Sequence, residues 1–230
     1  LTLMLILGTH EIGHYLASKK NGVNATLPYF IPAPSLLGTF GAFIKMKSPI
    51  PHRKVLLKIG VSGPIAGFII ALPATIIGLW LSEVREPSQM KGGISLGSSL
   101  LLSFLTKTIL GVTDDSADIL LHPVAFAGWI GLFVTALNLL PMGQLDGGHI
   151  VYSLFKGGHY YLSRIIFISL FPLGFFWEGW FFWVAAVFVF GLRHPQLIDE
   201  TTPLDMGDKV LGIIALIIFV ITFIPIPFKI

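Results

Sequence analysis

Residues 1–20 read LTLMLILGTHEIGHYLASKK, an apolar run that carries a glutamate between two histidines. The run predicts a membrane helix, which Asn21 and Gly22 end. On that helix His10 and His14 lie on one face, so both imidazoles can reach one metal ion. Burying this polar group in a bilayer is costly unless its members pair or bind a metal. The segment therefore predicts a metal site within the membrane; the alternative is a polar cluster that only packs helices together.

The composition is that of a membrane protein. Hydrophobic residues make up 54% of the chain and charged residues 12%, with a mean hydropathy of +0.83, whereas a soluble domain has about 25% charged residues. The net charge of +3 comes from basic residues spread along the chain, so no nucleic-acid partner is expected. The chain has no cysteine, which excludes disulfides, thiolate zinc ligands and a cysteine nucleophile.

The other apolar stretches predict an all-α polytopic membrane protein with about six transmembrane helices. Residues 27–46 are broken by prolines and glycines, which favours an extended hairpin. Such backbone is tolerated at membrane depth only where protein or a water-lined cavity covers it. A span over 55–81 contains Pro64 and Pro73, which we expect to kink it. The remaining predictions are an interfacial stretch over 92–110, a solvated loop around Asp114, Asp115 and Asp118, a span over 122–140 that resumes through Phe155, one or two spans within 160–192, and a last span over 210–228.

Basic residues predict the orientation. Residues expected on one side are Lys19, Lys20, Lys45, Lys47, Arg53, Lys54, Lys58, Lys156, Arg164, Arg193 and Lys209, against Arg85, Lys91, Lys107 and Lys229 on the other. Because cytoplasmic loops carry the excess of Lys and Arg, the first side is assigned to the cytoplasm or its equivalent. His10 lies close to the start of the chain, whereas a span needs about 20 residues, so we expect part of the first helix or an earlier span to be absent.

A catalytic zinc usually takes three protein ligands, and the HEIGH motif supplies two. Of the 12 acidic residues, only Glu11 and Asp146 lie clearly within apolar segments. Asp146 belongs to NLLPMGQLDGGH, residues 138–149, where proline and glycine open the helix and allow a side chain to turn inward. It is the natural third ligand, and a helix-capping role is compatible with that. Glu11 would take the proton of a zinc-activated water as it attacks a carbonyl.

HEIGH followed by NLLPMGQLDGGH resembles the site-2 protease family of intramembrane zinc metalloproteases. The resemblance covers roughly residues 1–157. Within it, GTFG at 38–41 looks like the family's re-entrant β-hairpin, and GVSGP at 60–64 looks like the start of its next core helix. It implies a membrane-embedded catalytic core over 1–157 followed by C-terminal transmembrane helices over 158–230.

The resemblance also implies roles for single residues. One Zn²⁺ per chain would be held by His10, His14 and Asp146, with Glu11 as general base. Asn138 matches a family asparagine and would contact the substrate carbonyl or the oxyanion; an interhelical hydrogen bond is the alternative. His149 matches the motif and is expected to support the ligands or the fold. The hairpin residues that would pair with an unwound substrate, or alternatively form a lid, are Gly38, Phe40, Gly41, Phe43 and Ile44.

The expected function is hydrolysis of a peptide bond in or near the transmembrane segment of a membrane-protein substrate, within a lipid bilayer and towards its cytoplasmic side. A metal transporter is a competing hypothesis, although no internal repeat is evident and the glutamate between the histidines has no obvious purpose in transit. A relative that binds and retains membrane clients without cleaving them is another, against which the intact His-Glu-His-Asp set argues.

Overall fold

The computed structural model describes residues 1–32, 39–85, 95–112, 118–190 and 197–229. Most of these residues are helical. The helices are α1 (Thr2–Lys20), α2 (Arg53–Trp80), α3 (Leu100–Leu110), α4 (Pro123–Asn138), α5 (Asp146–Phe155), α6 (Gly158–Gly174), α7 (Gly179–Phe190) and α8 (Met206–Thr222). The strands are β1 (Tyr29–Pro32), β2 (Thr39–Phe43), β3 (Glu83–Arg85), β4 (Ser95–Leu96), β5 (Asp118–Leu120) and β6 (Phe228–Lys229).

Helix α2 is the central element, and α1, α4, α5 and α8 all pack against it. Small residues permit this close packing, as is usual between membrane helices: a Cβ on Gly78 would lie 2.1 Å from the backbone nitrogen of Ala125 on α4. Within the described ranges, α2 is the one helix that is both long and apolar enough to cross a membrane, while α3 and α4 are shorter apolar helices. The predicted count of about six spans and the multi-pass topology therefore stay predictions.

Helix α1 ends where the sequence predicted. Asn21 follows it as the C-terminal cap, with its backbone N–H bonded to helix carbonyls, and Gly22 adopts a positive φ of 71°. Glycine adopts a positive φ without strain because it has no Cβ, whereas other residues are strained there. The chain then turns back along the helix end, where the Val23 amide donates to the Ser18 carbonyl at 2.9 Å.

The predicted hairpin is present as the antiparallel pair β1–β2. Tyr29 faces Phe43 and Phe30 faces Ala42 in its register. A further antiparallel bridge between Ala25 and Met46 closes its base. Gly38 lies outside the described residues, and the re-entrant position of the hairpin in a membrane stays a prediction.

The predicted break between α4 and α5 is confirmed over residues 139–145. Gly143 has a positive φ of 56°. A Cβ on Gly147 would lie 2.0 Å from the Leu139 carbonyl oxygen, and one on Gly148 would lie 2.3 Å from that of Gly143. Only glycine fits these two positions. The tight turn places Asp146 as the first residue of α5, directly beside α2.

Several boundaries differ from the sequence expectations. Residues 160–192 contain two helices, α6 and α7, that pack together. The last helix spans Met206–Thr222 rather than 210–228, because Asp205 and Asp208 form a capping box at its start and Pro225 and Pro227 follow its end. Of the predicted interfacial stretch 92–110, the structure describes residues 95–110, which contain strand β4, paired with β6, and helix α3. Asp118 lies in strand β5 opposite Arg85, whereas Asp114 and Asp115 fall outside the described residues.

An ion cluster joins the start of α2 to the start of α8. Lys54 donates to Asp205 at 2.6 Å and lies 3.3 Å from the buried Asp208, which is also 3.8 Å from Lys58. The hydrogen bond from Lys54 lowers the pKa of Asp205 to about 2. The cluster therefore ties the C-terminal helix α8 to the central helix α2. Deeper in the molecule, the largest apolar cluster includes Trp129 and Trp180.

Candidate metal centre

Three predicted ligands from two helices converge on one point. His10 and His14 are buried on α1, and the Asp146 side chain is 16% exposed at the start of α5. The two histidine Nε2 atoms are 3.1 Å apart. Asp146 Oδ2 lies 3.3 Å from Nε2 of His10 and 3.2 Å from Nε2 of His14. These residues could hold a metal ion, since one ligand atom from each lies within 4.8 Å of the others.

The donor set fits zinc. Tetrahedral zinc with ligand bonds of 2.0–2.1 Å has ligand atoms separated by about 3.3 Å, and the three atoms here are 3.1, 3.3 and 3.2 Å apart. Two imidazole nitrogens and one carboxylate oxygen are also a usual catalytic zinc set, one that leaves a fourth position open. The spacing therefore needs little rearrangement to accept the ion.

His14 is oriented from behind by α2. Its Nδ1 donates to the Ile59 carbonyl at 2.8 Å. Such a bond fixes the tautomer and leaves Nε2 free to bind a metal. The imidazole occupies the space over Gly63, where a Cβ would lie 2.1 Å from Nε2, and His10 lies over Gly67, where a Cβ would be 3.3 Å from Nδ1. The GVSGP segment was identified from the sequence only by resemblance, and Ile59 was not identified, because a residue that acts through its main-chain carbonyl has no side-chain signature.

Glu11 is buried beside the ligand group. Its Oε1 is 4.0 Å from Nε2 of His10. The backbone amide of Ile44, just after strand β2, donates a hydrogen bond to its carboxylate. The base of the hairpin is thus in direct contact with the candidate catalytic residue.

The other predicted residues occupy different positions. Asn138 ends α4 half-buried, with Nδ2 3.4 Å from Nε2 of His10. His149 packs against α2: a Cβ added to Gly60 would lie 3.2 Å from the Cβ of His149. His149 therefore lies behind the site. Phe40, Gly41 and Phe43 lie on β2, whose neighbour Ile44 reaches the site.

Two buried histidines and a partly buried aspartate form a ligand set that is usual for catalytic zinc. The chain belongs to a family of zinc metalloproteases, the site-2 proteases: the sequence model of peptidase family M50 matches residues 1–171. No solved structure matches.

Curated relatives agree with the family. "Probable zinc metalloprotease EGY2, chloroplastic" of Arabidopsis thaliana is 32% identical over 234 residues, covering 99% of this chain and 41% of the relative. "Probable zinc metalloprotease EGY1, chloroplastic" of the same plant is 34% identical over 240 residues, covering 96% of this chain and 41% of the relative. The plant's "DDT domain-containing protein PTM" is 38% identical over 128 residues, covering 52% of this chain and 7% of the relative. The chain thus spans about two fifths of the length of the two metalloproteases.

Proposed function

We propose that the protein is a multi-pass intramembrane protease that hydrolyses a peptide bond in or near the transmembrane segment of other membrane proteins, as in regulated intramembrane proteolysis. The observation that carries this proposal is the convergence of the buried His10 and His14 with the partly buried Asp146, with Glu11 next to His10 on the apolar helix α1. Family membership supports the zinc protease chemistry. A buried polar group in apolar helices supports an active site within the bilayer.

The residues divide the chemistry among them. His10, His14 and Asp146 would hold zinc, which would supply Lewis-acid polarisation at the site. Glu11 accepts the proton of the attacking water and passes it to the leaving amine. The Ile44 amide orients the Glu11 carboxylate for this transfer. The Asn138 amide, 3.4 Å from His10, donates to the substrate carbonyl and to the oxyanion that follows.

A transmembrane substrate must unwind before its carbonyl can be attacked, because helical carbonyls are hydrogen-bonded. The hairpin supports a way to hold the unwound segment. Strand β2 pairs with β1 on one edge, and a substrate strand added along the other edge would run towards Glu11 through Ile44. Phe43→Pro tests this role: cleavage that stays unchanged, in a variant that still folds, would favour a lid instead.

The site faces the cytoplasmic side or its equivalent. His14 precedes Lys19 by five residues, about 8 Å along a helix, so water needs to travel only a short distance from that side. Residues 1–157 form the catalytic core in this proposal, because the ligands, the base and the hairpin lie within them. Residues 158–230 supply C-terminal transmembrane helices that pack on the core.

The test is a paired assay on the purified protein. Bound zinc per chain and cleavage of a single-span substrate are measured for wild type, Glu11→Gln and Asp146→Asn, with the exposed Glu178→Gln as control. We expect zinc near one per chain in wild type and Glu11→Gln, but cleavage only in wild type and the control. Asp146→Asn should lose both zinc and activity.

Two results would contradict the proposal. Cleavage by Glu11→Gln at the wild-type rate would remove Glu11 as the base. Full zinc and full activity in Asp146→Asn would remove Asp146 as the third ligand.

A further inference from the structure

Four exposed lysines lie at the end of α1 and the base of the hairpin. Lys19 and Lys20 are the last residues of α1, and Lys45 and Lys47 follow strand β2. All four side chains are exposed. We call this group the lysine rim.

Backbone bonds hold the two halves of the rim together. Thr26 donates to the Lys45 carbonyl at 3.0 Å, and Lys47 donates to the Asn24 carbonyl at 2.7 Å. Ser18 Oγ lies 3.6 Å from Sδ of Met46. The residues after α1 thus pair directly with the segment that carries Lys45 and Lys47, so the two halves of the rim adjoin each other.

The positive charge of the rim is not neutralised within the described part of the chain. The acidic residues that form ion pairs with lysine or arginine there have other partners: Asp205 and Asp208 pair with Lys54 and Lys58, and Glu83 pairs with Arg85. No ion pair of the described residues involves a rim lysine. Such a surface attracts an acidic partner.

The rim also adjoins the candidate catalytic residue. The amide of Ile44 binds Glu11, and Lys45 is the next residue. At about 3.3 Å per residue of extended chain, Lys47 lies roughly 10 Å beyond Ile44. A substrate strand beside β2 would therefore carry the residues that leave the membrane directly past Lys45 and Lys47.

We propose that the lysine rim binds an acidic juxtamembrane flank of the substrate, on the side where the substrate leaves the membrane at the active site. This inference rests on the proposed function and adds a selection step to it. The alternative source of negative charge is the headgroup of an anionic lipid. The substrate is favoured because Lys45 continues the strand whose end contacts Glu11, which is the path of the cleaved segment.

The test reverses the charge of two rim lysines. Lys45→Glu/Lys47→Glu is compared with wild type in phosphatidylcholine vesicles. Lys19 and Lys20 are left unchanged, because they also complement the C-terminal dipole of α1. Lys156→Glu/Lys209→Glu is the matched control, since it makes the same charge change at exposed positions predicted on the same side. Three substrates share one transmembrane segment and differ only in an acidic, neutral or basic flank of four residues.

Wild type should cleave the acidic-flank substrate with a kcat/KM about fivefold above that of the basic-flank one, and the preference should fall at high salt. The rim variant should lose the preference, because its two glutamates offset the remaining Lys19 and Lys20. The control should keep the preference, and bound zinc should be equal in all three. Cleavage of the neutral-flank substrate by wild type but not by Glu11→Gln checks the proposed function in the same assay.

Two results would overturn the rim proposal while leaving the proposed function intact. One is an equal flank preference in wild type and in the rim variant. The other is a loss of activity in the rim variant that is the same for all three substrates and arises only when phosphatidylserine is added, which would assign the rim to lipid headgroups.

Discussion

His14 is fixed by two residues of α2 that contribute no metal ligand. The Ile59 carbonyl accepts from its Nδ1, and the bare backbone of Gly63 leaves room for its ring. A Cβ on Gly63 would lie 2.1 Å from Nε2, so the ring must move. Because the atom nearest to this Cβ is Nε2 of His14, a candidate metal ligand, the movement of the ring would displace that ligand.

Gly63→Ala is therefore expected to weaken zinc binding by about tenfold or more, the usual effect of disturbing the groups that orient a ligand. Zinc retained against a competing chelator is the measurement. Gly157→Ala is the control, because no atom lies within 4 Å of where its Cβ would stand. Equal zinc retention in the two variants would show that Gly63 does not shape the site.

At the scale of single residues, the sequence predicted that His10, His14 and Asp146 converge. It did not predict the residues that orient His14. Two side-chain signals were sufficient to predict this group. One is the four-residue spacing of His10 and His14, and the other is the isolation of Asp146 in an apolar segment. The contribution of Ile59 is a main-chain carbonyl, and that of Gly63 is an absent side chain. Neither has a signature in residue type alone. The role of Glu11 stays a prediction that the assays above decide, and the role of Asn138 also stays a prediction.

Among the elements, the hairpin meets the site through a backbone group. The amide of Ile44 donates to the Glu11 carboxylate, so the residue type at position 44 matters less than its N–H. Ile44→Pro removes that donor, and Ile44→Ala keeps it. We expect kcat to fall about tenfold in the proline variant, since a hydrogen bond to a charged group is lost, and to stay near wild type in the alanine variant. Similar rates in both variants would mean that the amide does not serve Glu11.

The ion cluster between α2 and α8 should make stability depend on pH. Lys54 lowers the pKa of Asp205 to about 2, below the ordinary value of about 3.9. The stabilisation is therefore present above pH 4 and is lost as the pH falls through 2. Lys54→Met should lower Tm at pH 6, and its difference from wild type should shrink between pH 4 and pH 2. Lys209→Met, a change at an exposed lysine, should have a Tm close to that of wild type at every pH. A Tm difference for Lys54→Met that does not change with pH would contradict a stabilising Lys54–Asp205 pair.

Sequence patterns located most elements but misplaced several ends. Prolines and glycines marked the hairpin and the α4–α5 break clearly, because each constrains the backbone locally. The last span was predicted from residue 210, where the apolar run begins, but α8 starts at Met206 because Asp205 and Asp208 cap the helix. Short strands such as β4 and β6 depend on pairing between distant residues, which local patterns do not reveal.

On the scale of the whole molecule, α2 sets the expected topology. Its 28 residues span about 42 Å, more than the roughly 30 Å hydrocarbon core of a bilayer. Residues on either side of it should therefore emerge on opposite faces. The chain has no cysteine, so single cysteines can report this without background.

In sealed vesicles, a membrane-impermeant maleimide should label Lys47→Cys and Lys156→Cys from one face and Glu83→Cys from the other. All three should react once detergent opens the vesicles, and the cysteine-free chain should not react. Labelling of Lys47→Cys and Glu83→Cys from the same face would contradict both the crossing by α2 and the assignment of basic residues to one side.

The most direct test of the central claim is mass spectrometry of the cleaved substrate, with the reaction run in ¹⁸O-labelled water in reconstituted vesicles. The spectrum reports which bond is cut and whether water supplies the new carboxyl oxygen. We expect one ¹⁸O at the new C-terminus and a cut in the transmembrane segment, within about one and a half helical turns of its cytoplasmic end. Glu11→Gln should give no such product. A cut only in the soluble flanks, or the same labelled product from Glu11→Gln, would contradict it.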